Sequence, residues 1–210
     1  MIGVIDYRAG NSPSVANALL KLGVENSLIS TAEEFELCDG IILPGVGSAD
    51  ATISSLDELG LLGRLKEAVL GEKKPFLGIC VGLQVLFEYS EEGETECMGF
   101  IKGKVRRFEG AKLRVPQMGW NKVDFRRDSV LTGGIREGYF YFVNSYYAEP
   151  EDESVILGTA EYGQDFCAFV ESGNIFASQC HLEKSGNVGL ALLKNFAGYA
   201  ENTAKGRVGK

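Results

Sequence analysis

PFLGICVGLQ, residues 75–84, is the stretch on which the reading of the fold turns. An apolar run from Phe76 to Ile79 passes through Cys80 into VGLQVLFEY, where the spacing of Val81, Val85 and Leu86 predicts a helix. A buried strand that turns at once into a helix is the repeating unit of a parallel sheet. The same unit recurs upstream. IGVIDY, residues 2–7, is a short apolar run followed by a Gly10-Asn11 turn, with Ser12 as candidate cap and Pro13 at the first helical position. PSVANALLKL then places Val15, Leu19 and Leu22 on one stripe and stops at Gly23. A further run at 41–43, IIL, ends in Pro44-Gly45-Val46-Gly47, after which Ser48-Ala49-Asp50 opens another helical segment. Three strand-to-helix units predict an α/β fold.

From about residue 98 to 180 the pattern changes to short β-rich runs such as FIKGKVRRF, YFYFVNSYY and SVILGTAEY, with a turn signal at Glu171-Ser172-Gly173-Asn174. This half predicts antiparallel or mixed pairing, so the expected sheet is mixed, largely parallel and flanked by helices. VGLALLKNFAGYA returns to helix, and the polar, basic residues 201–210 are expected to fray. The expectation is one domain, 1–200, with a flexible tail.

The 210 residues suit a single domain, with 45% hydrophobic and 24% charged residues, enough apolar material for a sizeable core. A net charge of −8 with no basic stripe argues against a nucleic-acid partner. No window approaches the ~20 apolar residues of a membrane helix, and MIGVIDY does not read as a signal peptide, so a cytoplasmic protein is expected. Cys38, Cys80, Cys97, Cys167 and Cys180 are odd in number and contain no C-x-x-C pair, which disfavours a disulfide framework or a zinc knuckle. No metal or organic cofactor is expected.

A lone Cys between apolar residues is ordinarily a core thiol. Cys80 differs because Gly78 and Gly82 flank it at two residues on either side. A core thiol needs no such clearance, whereas a nucleophile on a sharp strand-to-helix turn must admit a substrate carbonyl and an attacking water. The start of the following helix also favours thiolate and can stabilise an oxyanion. A cysteine hydrolase needs a base, and His181 is the sole histidine. It follows the run Ile175 to Cys180, read as a strand, and Glu183 lies two residues on, where extended backbone puts both side chains on one face. Glu183 can then hold the ring's tautomer and stabilise imidazolium, although direct contact along one strand is not the expected geometry.

GICVGLQ at 78–84 together with QCHLEKS at 179–185 resembles the nucleophile and His-x-Glu motifs of the class I (triad) glutamine amidotransferases. GNSPSVANAL at 10–19, LPGVG at 43–47, VPQMGWN at 115–121 and YFVNSY at 141–146 make the chain more similar to the glutaminase subunits of imidazole glycerol phosphate synthase. The resemblance implies a flavodoxin-like single domain, a Cys80-His181-Glu183 triad, and glutamine as substrate. It also implies an oxyanion strand at Gly45, Val46 and Gly47 beside Val81, and glutamine contacts from Gln84, Ser145 and Tyr146. A (βα)8 cyclase subunit is the implied partner, forming a heterodimer that Asn11, Met118, Trp120, Asn121 and Lys184 would face. Departures from the family pattern are Cys180 and Leu182 within Q-F-H-P-E, Gln117 within P-H-M-G-W-N, and Asn144 within V-H-S-Y. A glutaminase of the pyridoxal phosphate or anthranilate synthase type would leave PGVG and VPQMGWN unexplained. A non-catalytic protein of the same fold would be expected to have lost Cys80, His181 or Glu183, and all three are present.

Overall fold

A computed structural model of the chain describes residues 1–8, 11–110 and 113–208. The first half alternates strand and helix: β1 (Ile2–Ile5), α1 (Ser12–Lys21), β2 (Asn26–Ile29), β3 (Gly40–Gly45), α2 (Ala49–Glu58), α3 (Leu61–Lys66), β4 (Phe76–Cys80) and α4 (Val81–Gln84). Short strands β5 (Tyr89–Ser90) and β6 (Thr95–Glu96) follow. Then come β7 (Gly103–Arg107), β8 (Gln117–Phe125), β9 (Glu137–Asn144) and β10 (Tyr146–Pro150). The chain closes with β11 (Ile156–Glu161), β12 (Asp165–Ser172), β13 (Ile175–Ser178) and α5 (Gly186–Val208).

The strands form one mixed sheet in the order β2-β1-β3-β4-β13-β12-β10-β7-β5-β6, with β11, β8 and β9 branching from β12. From β2 to β13 all pairing is parallel, and these strands bury continuous apolar stretches such as Ile41–Leu43 and Phe76–Leu77 because α-helices cover the sheet. β12 and β13 pair antiparallel across a hairpin turned by Gly173, at the signal expected from the sequence. The mixed character of the second half is therefore as expected. β2 was not foreseen, since its edge position leaves Ser27 and Leu28 exposed and its pattern only half apolar.

Three local expectations need correction. α4 is a single turn, and residues 85–88 leave the helix. The carbonyls of Val85, Leu86, Phe87 and Glu88 accept backbone N–H groups of Met98, Ile101, Gly99 and Cys97 instead of continuing an i→i+4 ladder. Because Val85, Leu86 and Phe87 are all fully buried, apolar spacing alone could not mark this boundary. Ser12 does not cap α1: its hydroxyl donates to Ile5 O at 2.9 Å, and Asn11 occupies the cap position. Gly10 of the expected turn lies outside the described residues. Finally, α5 runs to Val208 through most of the stretch expected to fray.

Parallel strands align their carboxyl ends, and here β3, β4 and β13 deliver Gly45, Cys80 and the residues after Ser178 to one edge of the sheet. Such edges are where α/β sheets place their ligands.

Candidate active site

Cys80 ends the central strand β4 and turns into α4 with φ 56° and ψ −108°. A positive φ on a non-glycine residue costs about 1–3 kcal/mol and persists only where the surroundings enforce it. The surroundings here are glycine contacts. A Cβ on Gly78 would collide with Gly82 O, one on Gly82 with Leu43 O, and one on Gly45 would lie 2.6 Å from Val81 Cβ. Gly47 is glycine for another reason: space is open around it, but its φ is +94°. The oxyanion segment expected from the sequence thus lies against the elbow, with Gly45 opposite Cys80 in the β3–β4 register.

His181 and Glu183 stand in the short turn between β13 and α5, with strand pairing already ended at Ser178. The turn makes the contact that an extended backbone could not: His181 Nδ1 lies 3.0 Å from Glu183 Oε1. His181 N–H donates to Tyr141 O at 2.9 Å, and Ser185 Oγ donates to His181 O at 2.6 Å, which pins the segment to β9. Leu182 in place of proline is fully buried and leaves this geometry intact. Cys80 is the other ionisable neighbour of the His181 ring, and both line the same cavity. Burial acts to lower its pKa, but the neighbouring Cys80 and Glu183 outweigh that and raise it to about 9. Burial acts to raise the pKa of Glu183, but the His181 contact, a backbone N–H and the Asn11 amide hold it below the ordinary carboxylate range.

Cys80 Sγ sits 4.0 Å from Val143 O and 3.8 Å from Gln179 Nε2. A cavity of about 230 Å3 opens over it, lined by Val46, Gly47, Val81, Gln84, Glu92, Asn144, Ser145, Tyr146 and His181 among others. Gln84, Ser145 and Tyr146, the expected substrate contacts, all line it. Glu92 was not expected. It supplies the carboxylate in that lining, accepts the N–H of Ala49 at 3.0 Å, and has its pKa raised by burial. It stands in the short turn between β5 and β6, beside Glu91 and Glu94, where nothing in the sequence sets it apart from its neighbours. Tyr7 also went unseen: its phenol is buried, with Thr52, Cys80 and the Val46 backbone as polar neighbours, although no hydrogen bond of good geometry from the described residues reaches its oxygen. A larger opening of about 980 Å3 lies between α5 and the Met1–Leu22–Glu25 side, and neither Cys80 nor His181 lines it.

The residues expected at a partner face divide. Met118 and Trp120 are 67% and 57% exposed on the outer face of β8, beside Tyr139 of β9 at 61%. Lys184 is exposed close to the triad. Asn121 donates its amide to Glu161 O, and Asn11 donates to Glu183 Oε1 at 2.8 Å, so the Asn11 side chain shares that carboxylate oxygen with His181.

A strained, glycine-framed thiol that shares a cavity with an imidazole held by a buried carboxylate is an arrangement for acyl transfer from an amide. The family model Glutamine amidotransferase class-I matches residues 3–198, and the chain belongs to that family. Two solved structures share its fold: a glutamine amidotransferase, at TM-score 0.76 and 21% identity over 95% of this chain and 98% of that one, and PurLQS from Thermotoga maritima, at TM-score 0.74 and 20% identity over 94% and 97%. Within the class the chain belongs with the HisH subunits of imidazole glycerol phosphate synthase. It is 48% identical to HisH of Dehalococcoides mccartyi, covering 93% of this chain and 96% of that protein. It is 45% identical to HisH of Geobacillus kaustophilus, covering 98% and 100%.

Proposed function

We propose that the chain hydrolyses glutamine to glutamate and ammonia through Cys80, His181 and Glu183, and hands the ammonia to a (βα)8 cyclase subunit with which it forms a heterodimer. The observation that carries this reading is the buried Cys80-His181-Glu183 set beneath a cavity the size of an amino acid. Membership of the HisH family supports histidine biosynthesis as the setting, with imidazole glycerol phosphate and an aminoimidazole carboxamide ribonucleotide as joint products.

In the first step the Cys80 thiolate attacks the side-chain amide carbon. The negative charge developing on oxygen is met by the Val81 N–H at the start of α4 and by an N–H of the Gly45-Val46-Gly47 segment. His181, charged through Glu183, protonates the leaving nitrogen, and ammonia departs. His181 then takes a proton from water, which attacks the glutamyl thioester, and the thiolate leaves as glutamate forms. Glu183 holds the ring and stays ionised throughout. Glu92 and the acceptor oxygen Oε1 of Gln84 suit the α-ammonium end of the amino acid, and the Ser145–Tyr146 segment lines the same cavity. The positive φ of Gly47 allows the segment to change its peptide orientation, which makes full activity dependent on the partner and its nucleotide ligand.

Free ammonia is protonated in neutral water, so it must pass directly to the synthase. The apolar face of Met118, Trp120 and Tyr139, with Asn11, Asn121 and Lys184 near its edge, is the proposed docking surface. Among the described residues no helix is long and apolar enough to cross a membrane. A cytoplasmic location fits this reading. The test is glutamate release from glutamine by the chain alone and with its cyclase subunit plus nucleotide ligand. A strong rise in the complex that vanishes in Cys80→Ser supports the assignment, and no release under any condition overturns it.

A further inference from the structure

Gln179 immediately follows β13 and is fully buried, with its backbone N–H bonded to Ala168 O at 2.8 Å. A buried carboxamide must find partners for both ends. Its Oε1 accepts from Gln84 Nε2 at 3.2 Å, and its Nε2 lies 3.8 Å from Cys80 Sγ. The direction of this chain follows from its far end. Gln84 Nε2 also donates to the carbonyl of Tyr146 at 3.4 Å, and a carbonyl can only accept. Gln84 must therefore present N–H groups on that side, Gln179 must answer with oxygen, and only its NH2 is left for the sulfur.

We propose that Gln179 is a further catalytic residue, whose amide N–H holds the Cys80 sulfur in its attacking position and favours its charged form. The inference rests on Cys80 being the nucleophile. An N–H donor beside sulfur stabilises thiolate over thiol and makes it a better leaving group when the thioester is hydrolysed. A carboxamide does not titrate, so this donor keeps its polarity whatever the protonation of His181. The arrangement also forms a closed loop: Gln84 sits one turn beyond Cys80 on α4, so the helix that carries the nucleophile also fixes the orientation of the residue that holds it.

The test pairs Gln179→Glu, which keeps shape and the acceptor for Gln84 but removes the donor, with Gln179→Met, which removes both. Glutamate release is measured in the complex with the cyclase subunit, and alkylation of Cys80 by iodoacetamide is followed by mass spectrometry of its peptide. Loss of a hydrogen bond to a charged group predicts kcat lowered about tenfold or more, with KM within about twofold and alkylation slowed in parallel. Unchanged kcat in both variants overturns the proposal, as does a fall in kcat with alkylation at the wild-type rate. If one variant fails to fold by circular dichroism, the other decides. The side-chain 15N signal of Gln179, compared between wild type and Cys80→Ala, gives an answer independent of both, since an unmoved signal also overturns it. Cys80→Ser serves as the control: retained release there sinks the nucleophile itself, whereas abolished release with silent Gln179 variants sinks only the role of Gln179.

Discussion

Gly45 pairs directly with Cys80 across the parallel strands β3 and β4. The proposed oxyanion segment and the proposed nucleophile are thus set by one strand register, and the two glycines of the segment serve different ends. Gly45→Ala would force a Cβ to 2.6 Å from Val81 Cβ and 2.9 Å from Gly82 N, on backbone that cannot give way. It should destabilise the fold by about 3 kcal/mol or more. Gly47→Ala meets no atom of the described residues within 4 Å but must hold φ +94°, so its cost is strain of about 1–2 kcal/mol confined to the loop. Urea midpoints should fall far more for Gly45→Ala, and a reversed order would show that the register does not fix the site.

His181 is the sole histidine, so one imidazole signal reports the triad by NMR. Its pKa in the folded chain is raised from 6.5 to about 9. The stabilisation from its contacts is therefore fully present below pH 6.5 and lost as pH rises through about 9. The signal should titrate near pH 9, and Glu183→Gln, which removes one of the two charges raising it, should move the midpoint down. A midpoint at or below 6.5 in the wild type would mean that burial outweighs both partners.

Asn11 and Glu183 are 172 residues apart in sequence yet joined at 2.8 Å. Glu183 Oε1 is shared between this amide and His181, while Oε2 has no hydrogen-bond partner among the described residues. Asn11→Ala should leave the buried carboxylate short of a donor, costing about 2 kcal/mol of stability and lowering kcat more than it alters KM. Wild-type stability in the variant, read from thermal melting, would show that the bond is not formed in solution.

Glu92→Gln keeps an acceptor for Ala49 N–H while removing the charge that faces the cavity. KM for glutamine should rise about tenfold or more with kcat little changed. Because burial raises the pKa of Glu92, KM in the wild type should also rise as pH falls through that raised value. A normal KM in the variant would place the α-ammonium elsewhere.

Trp120 is more than half exposed and touches Tyr141 edge-on at 6.0 Å. Trp120→Ala should leave the melting temperature within a degree or two while weakening binding to the cyclase subunit by about 2 kcal/mol or more. Calorimetric titration showing wild-type affinity would remove the β8–β9 face from the interface.

The strand-to-helix units, the glycine-framed elbow and the His-x-Glu pair were legible in the sequence because each leaves a local mark. Apolar periodicity, a cap or stop, and steric clearance at two residues' distance are all read from neighbours along the chain. The extent of α4 was not, because its end is set by backbone groups of residues 97–101 that take the carbonyls of 85–88. Nor were Gln179, Glu92 and the task of Asn11. A buried amide or a loop carboxylate looks the same in sequence whether it faces a sulfur, a cavity or a packed core. Only the order of β3, β4 and β13, and the turn after β13, bring residues about a hundred positions apart to the same few ångströms of space. Cys80, His181 and Glu183 were thus marked out by local pattern, whereas the groups that hold them belong to long-range strand pairing, which local spacing does not encode.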